Sequence, residues 1–147
     1  MTNAPYLIVG GGTIGLALGW TLARRGADVT LVERDRAGHG TSWQAAGMLA
    51  PDAEIGFEEL ALYRLSRESL SRWPDFAHEL EDAAGMSVDY RDDGTLIVAD
   101  DPDSEEALRR LYDFQTEHGL NVTWCSGAEA RAIEPFLAPR LAAAIHA

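Results

Sequence analysis

Three glycines, spaced as Gly10-x-Gly12-x-x-Gly15, lie between two short apolar runs, and this arrangement limits the fold more than any other feature of the chain. The runs cover residues 6–9 and 29–32, and their continuous apolar character is typical of parallel strands that are covered on both faces. Strand, glycine turn, helix and strand within the first thirty-five residues predict a βαβ unit with a right-handed crossover.

The segment between the two strands has the apolar spacing of a helix over residues 13–25. Ile14, Leu18 and Leu22 recur every four residues along one face of this helix. Gly26 directly follows and is a suitable residue for the end of a helix. The sequence therefore predicts that this helix ends just before the second strand begins.

Each glycine of the motif has its own physical role. Gly10 permits a tight turn, Gly12 leaves room for a pyrophosphate against backbone N–H groups, and Gly15 lets the helix press on the strand. An anion is favoured at the helix N-terminus by unpaired N–H groups and by the helix dipole. Glu33 ends the second strand, where its carboxylate can accept hydrogen bonds from ribose hydroxyls and would repel the 2′-phosphate of NADP. The pattern predicts an adenine dinucleotide other than NADP.

Residues 38–51 indicate whether the dinucleotide is FAD or NAD better than the glycine spacing does. An NAD domain would continue into a second helix and a third strand, whereas this segment is rich in small and hydroxyl residues. Thr41 and Ser42 can hydrogen-bond phosphate or ribitol oxygens, and the Ala-Ala-Gly of residues 45–47 leaves room for a flat ring. This chemistry favours FAD, and a polar Ω-loop without cofactor contacts is the alternative.

Two stretches carry a family resemblance: LIVGGGTIGLALGWTLARRGADVTLVER and, after it, GTSWQAAGMLAP. The first is shared by many flavoproteins and the second is more specific. Together they resemble the N-terminus of the D-amino-acid oxidase family of FAD-dependent oxidoreductases. Within that family, the Ala-Ala-Gly-Met-Leu segment is most similar to the glycine oxidases of thiamine biosynthesis. The Asp-Gly-Thr-Leu-Ile-Val run and Glu134-Pro135 extend the resemblance over essentially the whole chain.

The resemblance implies four groups of FAD contacts, all within the first fifty residues. These are backbone contacts to the pyrophosphate, contacts to the adenosine ribose region, contacts along the phosphate and ribityl chain, and contacts near the flavin ring. The residues implied are, in the same order, Thr13 and Ile14; Glu33 and Arg34; Thr41 and Ser42; and Ala46, Gly47 and Met48. Trp43 and Gln44 depart from the small residues that are usual in the family at these positions.

The resemblance also implies an activity. Such oxidases pass a hydride from the amine-bearing carbon of a small amine or amino acid to the flavin, which gives an imine, and molecular oxygen then reoxidises the flavin and forms hydrogen peroxide. A sarcosine oxidase, a D-amino-acid dehydrogenase and a non-catalytic FAD-binding fragment are the alternatives. Family members are much longer than 147 residues. We therefore expect an N-terminal fragment in which no residue is a catalytic acid, base or nucleophile.

The rest of the chain is predicted to be helical first and antiparallel afterwards. Residues 57–83 have helical spacing, and Pro74 must kink or divide that helix. The strand-like runs 88–91 and 95–99 flank Asp92-Asp93-Gly94, which predicts a hairpin. Further along we expect a helix over 102–118, a strand over 122–125, a brief helix that begins at a capping box of Ser126 and Glu129, and a strand near 143–146.

The fold class predicted from these elements is α/β. A Rossmann-like FAD-binding βαβ unit would occupy a first domain, residues 1–85. The beginning of an antiparallel α+β substrate domain, truncated at its end, would occupy residues 86–147.

Charge and hydropathy exclude two classes of protein. The net charge is −12 and every cation is an arginine, so the chain would repel a nucleic acid backbone. No apolar run approaches the roughly 20 residues that a transmembrane helix needs, and the first five residues lack the basic charge of a secretory signal. We expect a cytoplasmic protein, and the sequence leaves a homo-oligomer open.

Metal chemistry is not expected either. Cys125 is the only cysteine, which is typical of a buried structural thiol, and the four histidines are scattered without a pair at ligand spacing. The sequence predicts no metal site.

Overall fold

Two strands with a helix between them form the βαβ unit that the glycine motif predicts. In this computed structural model, which describes residues 5–147, the two strands pair in parallel and in register over four residues. The elements of this first unit, which ends at Met48, are β1 (Tyr6–Val9), α1 (Thr13–Arg24), β2 (Val29–Val32) and the one-turn helix α2 (Thr41–Gln44). The predicted α/β class is confirmed.

The face that α1 turns toward the strands carries glycines. A Cβ atom on Gly15 would lie 2.0 Å from the carbonyl oxygen of Gly10, and one on Gly19 would lie 3.4 Å from Cδ1 of Ile8. The predicted close approach of Gly15 to the strand is thus confirmed, whereas Ile14 is 85% exposed and Leu18 is also exposed. The helix has apolar residues on several sides, and the side without bulk is the one that can approach the strand backbone closely.

A second unit, residues 49–147, contains the remaining helices and an antiparallel sheet. Its elements are α3 (Pro51–Glu54), α4 (Leu60–Ser71), α5 (Trp73–Ala84), β3 (Leu96–Ala99), α6 (Pro102–Glu117), β4 (Thr123–Ser126), α7 (Gly127–Ile133) and β5 (Ala143–His146). Pro74 lies in the first turn of α5, where its missing N–H costs nothing, and the long predicted helix is divided just before it. The prediction that this proline kinks or divides the helix is confirmed.

The predicted hairpin is wrong, although the sheet is antiparallel as expected. Residues 88–91 form no strand; instead β5 is the central strand, with β3 and β4 on either side. Thr95 and Ala147 exchange two backbone hydrogen bonds of 2.9 and 3.0 Å. Gly94 has φ +89, and a Cβ there would lie 2.6 Å from Nε2 of His146. The Asp-Gly pair thus leads the chain to β5 and not back to residues 88–91. Paired with this central strand, β3 forms cross-strand side-chain contacts that are buried.

The core of the second unit lies on both faces of β5. Ala143 and Ile145 pack with Ala99 and with Leu108 of α6, whereas Ala144 packs on the opposite face with Cys125 and Ala130 of α7. Alternate residues of a strand point to opposite faces, so one short strand packs against a helix on each face. Cys125 is buried, as a structural thiol would be.

Both helices that cover this sheet begin at capping boxes. Ser126 accepts a hydrogen bond from the backbone N–H of Glu129, whose side chain accepts in return from the N–H of Ser126. This box was predicted and is confirmed. Asp101 and Ser104 form a second box at the start of α6, where no cap was predicted.

Polar contacts join α3 to α6, which packs on the sheet, and to α4. Gln115 of α6 is fully buried and donates from Nε2 to the carbonyl oxygen of Asp52, 2.6 Å away. The carboxylate of Asp52 accepts from the hydroxyl of Tyr63 at 2.7 Å and from Arg67 at 2.8 Å. These contacts place residues 49–85 in the same unit as the sheet, whereas a domain boundary near residue 85 was predicted; that assignment of domains stays a prediction.

Within residues 5–147, no helix combines the length and the apolar character needed to cross a bilayer.

Candidate functional site: the glycine turn and the loop hydrogen-bonded to it

The chain turns sharply between β1 and α1. The N–H of Gly10 donates to the carbonyl oxygen of Val32 at 2.8 Å, which extends the parallel pairing by one residue. Gly10 then has φ +110, a conformation that residues with a Cβ rarely adopt. Because the turn is this tight, the first turn of α1 lies directly over the carbonyl oxygen of Gly10, as the clash calculated for a Cβ on Gly15 indicates.

The N-terminus of α1 presents backbone donors to its surroundings. Gly12 is the N-cap residue and has no side chain that could cap the helix. The N–H of Thr13 donates to Oγ of Ser42 at 2.9 Å. The N–H groups of Ile14 and Gly15 belong to the first turn, where a helix supplies no carbonyl partner. Together with the positive end of the helix dipole, these donors suit an anion.

Glu33 lies at the end of β2 and points toward the same turn. Its Oε2 accepts a hydrogen bond from the N–H of Gly11 at 2.7 Å, and its Oε1 accepts from the N–H of Asp35 at 3.2 Å. The bond from Gly11, followed by that from Asp35, lowers the pKa of Glu33 below its usual value of 4.5. The group is therefore a carboxylate at neutral pH. It keeps free lone pairs, so a ribose hydroxyl could still donate to it; that contact stays a prediction.

Arg34 follows Glu33 and is exposed. Its charge is a minor cause of the lowered pKa of Glu33. The contact with the adenosine ribose region that the resemblance implies for Arg34 stays a prediction.

The loop after β2 returns to the glycine turn and is hydrogen-bonded to it at two points. The N–H of Gly38 donates to the carbonyl oxygen of Gly11 at 2.7 Å, and Ser42 accepts from Thr13 as described. Thr41, the neighbour of Ser42, is exposed at the start of α2. The structure thus brings Ser42 to the N-terminus of α1, where its hydroxyl proton remains available for a phosphate oxygen.

The residues implied to lie near the flavin ring are placed less firmly. Ala46, Gly47 and Met48 follow α2 and are all exposed. Among residues 5–147, no hydrogen bond joins these three to the glycine turn. Their contacts with a flavin stay predictions.

Sequence reasoning missed one feature of this region. The rings of His39 and Trp43 are stacked, with centroids 4.9 Å apart and planes 9° apart. In the sequence, His39 is one of four scattered histidines and Trp43 departs from the family pattern, and neither observation predicts the pair. Their spacing of four residues, ending in a short helix, was the signal that could have revealed the pair.

The turn fits the diphosphate of a dinucleotide. A Cβ on Gly12 would lie 3.1 Å from Oγ of Ser42, so a larger residue would crowd the space between the helix N-terminus and the loop. Backbone donors, a hydroxyl and a nearby carboxylate are the groups that bind the phosphates and the ribose of an adenine dinucleotide. No three His, Cys, Asp or Glu residues of the described chain are grouped so that they could hold a metal ion.

Comparison with known proteins identifies relatives of this chain. A glycine oxidase from Geobacillus kaustophilus is 35% identical over 131 residues, which are 89% of this chain and 34% of that protein. The crystal structure of the same enzyme superposes on 97% of this chain and 39% of its own, with a TM-score of 0.89. Subunit A1 of the anaerobic glycerol-3-phosphate dehydrogenase from Haloferax volcanii is 32% identical over 146 residues, which are 99% of this chain and 23% of that protein.

This chain therefore spans about a third or less of the length of these relatives. A family model described as FAD dependent oxidoreductase (DAO) matches residues 6–147, which is nearly the whole chain. The cofactor of that family is FAD, in agreement with the glycine turn and with the loop that returns to it. The chain belongs to the DAO family of FAD-dependent oxidoreductases.

Proposed function

We propose that this chain is the FAD-binding part of an enzyme that oxidises the C–N bond of a small amino acid, glycine or a D-amino acid. The observation that carries the proposal is the 35% identity to a glycine oxidase, joined to a TM-score of 0.89 with its crystal structure. The similarity to a glycerol-3-phosphate dehydrogenase subunit limits how closely the substrate can be inferred, because enzymes with different substrates share this part of the chain.

The residues of this chain would bind and orient the cofactor. Backbone N–H groups of Ile14 and Gly15 and the hydroxyl of Ser42 would hold the diphosphate, and Glu33 would hold the adenosine ribose. Bound FAD supplies the chemistry, which is acceptance of a hydride from the amine-bearing carbon and its later transfer to oxygen as hydrogen peroxide. The resulting imine would hydrolyse to a 2-oxo acid.

The proposal extends to the setting of the reaction. Molecular oxygen would be the electron acceptor, the protein would act in the cytoplasm, and its imine product would serve thiamine biosynthesis. The last point is supported by the similarity of the Ala-Ala-Gly-Met-Leu segment, residues 45–49, to that group of glycine oxidases.

A panel of substrates tests the proposed function. The gene is first sequenced beyond codon 147, and the protein that the open frame encodes is expressed and purified. Without oxygen, it is then mixed with glycine, sarcosine, D-alanine or glycerol 3-phosphate. Loss of the visible flavin absorbance with glycine or D-alanine, followed by peroxide when oxygen is admitted, is the expected result. Loss with glycerol 3-phosphate alone would refute oxidation of a C–N bond.

A non-catalytic FAD-binding module is the second candidate. In its favour, the groups described at the glycine turn, from the helix N-terminus to the Glu33 carboxylate, are ones that bind a cofactor. If the open frame ends at codon 147, this reading predicts a protein that binds FAD but whose flavin absorbance none of the four substrates changes.

A further inference from the structure

An exposed aromatic pair lies beside the glycine turn. The indole of Trp43 is stacked on the imidazole of His39, and Trp43 is nevertheless 67% exposed. His39 covers one face of the indole, and the exposure of Trp43 leaves ring surface for a ligand. A stacked pair is a flat, preorganised surface, because each ring limits the rotation of the other.

This pair is held close to the cofactor turn by the backbone on which it stands. Gly38, the residue before His39, donates to the carbonyl oxygen of Gly11. Ser42, the residue before Trp43, accepts from the N–H of Thr13. Each ring is therefore one residue away from a hydrogen bond to the turn, which places the pair next to the N-terminus of α1.

The order of groups along the loop indicates which part of FAD the pair would meet. Glu33, at the end of β2, lies on the side predicted for the adenosine ribose, and Ser42 lies at the helix N-terminus predicted for the diphosphate. Trp43 follows Ser42 along the chain and precedes residues 46–48, for which contacts with the flavin ring are predicted, and this order favours the flavin half. The flavin is a flat ring with an apolar edge, which is the chemistry that an exposed indole face takes by offset stacking.

We propose that Trp43, supported by His39, stacks on the isoalloxazine ring of bound FAD. The inference goes beyond the proposed oxidation and rests only on FAD as the cofactor. It gives Trp43 a role in binding and orienting the flavin that the small residues usual at this position in the family do not have.

The contact has a spectroscopic signature that does not depend on activity. An indole in contact with an isoalloxazine quenches the fluorescence of the flavin, because the excited flavin takes an electron from the indole and returns it without net reaction. A phenylalanine ring can stack on the flavin but does not donate this electron. Affinity and fluorescence therefore respond differently to different substitutions of Trp43.

The test titrates FAD into the full chain and its variants and records both the dissociation constant and the fluorescence of the bound flavin. Trp43→Ala is expected to weaken FAD binding about tenfold and to raise the fluorescence of the remaining bound flavin. Trp43→Phe is expected to change the dissociation constant by about twofold or less and still to raise the fluorescence. Trp73→Phe is the matched control, because Trp73 pairs with Phe76 in the other unit; it should change neither quantity.

Three outcomes would overturn the inference. Equal bound-flavin fluorescence in the wild-type chain and in Trp43→Phe would show that the indole does not contact the flavin. A loss of ADP affinity in Trp43→Ala as large as the loss of FAD affinity would move the contact to the adenine half. A wild-type chain that binds no FAD would overturn this contact together with the cofactor assignment, whereas failure of the substrate panel alone would leave the contact standing.

Discussion

The two units differ in how far the side chains of their strands are buried. In β5 of the second unit, Ala143, Ala144 and Ile145 are all 1% exposed or less. In β1 of the first unit, Leu7 is 66% exposed and Val9 is 80% exposed, and only Ile8 is buried, against α1. The second unit buries both faces of its central strand, whereas the first buries one face of a two-stranded sheet.

The second unit is therefore stabilised by its own core, whereas we expect the first unit to gain stability when it binds a ligand. A two-stranded sheet with one helix is marginal in water, because little apolar area is removed from solvent. A ligand that binds only the folded form adds free energy of unfolding in proportion to the logarithm of its concentration. We therefore expect FAD to stabilise the first unit and to leave the second nearly unchanged.

The largest expected effect tests the core of the second unit. Ile145→Ala removes a fully buried side chain between α6 and the sheet, and it should lower the free energy of unfolding by about 2–5 kcal/mol. Ile14→Ala is the matched control in the first unit, because Ile14 is 85% exposed; its effect should stay within about 0.5 kcal/mol. Urea denaturation followed by circular dichroism measures both. Equal losses would contradict the comparison.

A second pair of variants tests the close contact in the first unit. Gly15→Ala would place a Cβ against the carbonyl oxygen of Gly10, and it should cost about 1–3 kcal/mol and weaken FAD binding at least tenfold. Gly19→Ala, one turn further along α1, meets side-chain atoms only at 3.4 Å or more and should be neutral or stabilise the helix by up to about 1 kcal/mol. FAD titration of both variants provides the measurement. A Gly15→Ala chain with wild-type affinity would disprove the tight approach of α1 to the turn.

A cap at the edge of the second unit should matter less. Ser126→Ala removes the acceptor for the N–H of Glu129, and it should lower the free energy of unfolding by about 1 kcal/mol. Ser71→Ala removes an exposed hydroxyl that donates to the carbonyl oxygen of Glu68 at the end of α4, and its effect should stay within about 0.5 kcal/mol. If the two variants have the same urea midpoint, the capping box contributes nothing to stability.

Alkaline titration should affect the second unit. Burial, and then the hydrogen bond to Asp52, raise the pKa of Tyr63 from 10 to about 12. The folded state thus favours the protonated phenol, so its contribution to stability is fully present below pH 10 and is lost as the pH rises toward about 12. Tyr63→Phe should flatten the fall of the urea midpoint over this range. A wild-type chain whose midpoint does not fall more steeply than that of the variant would exclude the linkage.

The smallest effect is expected from Glu33 in the first unit. The hydrogen bonds from Gly11 and Asp35 lower its pKa, so the carboxylate contributes stability above its usual pKa of 4.5 and loses it as the pH falls through the lowered value. Solvent screens this partly exposed group, and the change in stability should be small. Glu33→Gln should remove that part of the acid dependence, measured as the urea midpoint of the chain without FAD between neutral and acid pH. If the variant and the wild-type chain lose stability equally at acid pH, the dependence belongs to other carboxylates.

Local signals predicted most elements of both units. Glycines, prolines and capping residues act on neighbouring backbone, so the division of the helix at Pro74, the box at Ser126 and the turn at Gly10 were accessible from the sequence. The close approach of α1 to the strand at Gly15 was accessible for the same reason. The strand partner of β3 was not, since it lies more than forty residues further along the chain than the hairpin predicted at Gly94.

The candidate site was predictable to the same extent. The glycine motif and Glu33 were identified because their spacing is local, and the structure brings them together with Ser42. The bond from Gly38 to Gly11, which brings the pair of His39 and Trp43 beside the turn, depends on how the loop folds back, and no short-range pattern specifies it.

The sequence by itself determined the chemistry of the chain: an acidic protein with a glycine turn, a helix N-terminus and a carboxylate arranged for an adenine dinucleotide. Only the tertiary structure decided which distant residues face one another, namely the central position of β5 and the aromatic pair beside the turn. The physical reason is that turns and caps are set by the dihedral angles and donors of adjacent residues, whereas a choice between faces or strand partners is set by the free energy of burial, which sums over residues far apart in the chain.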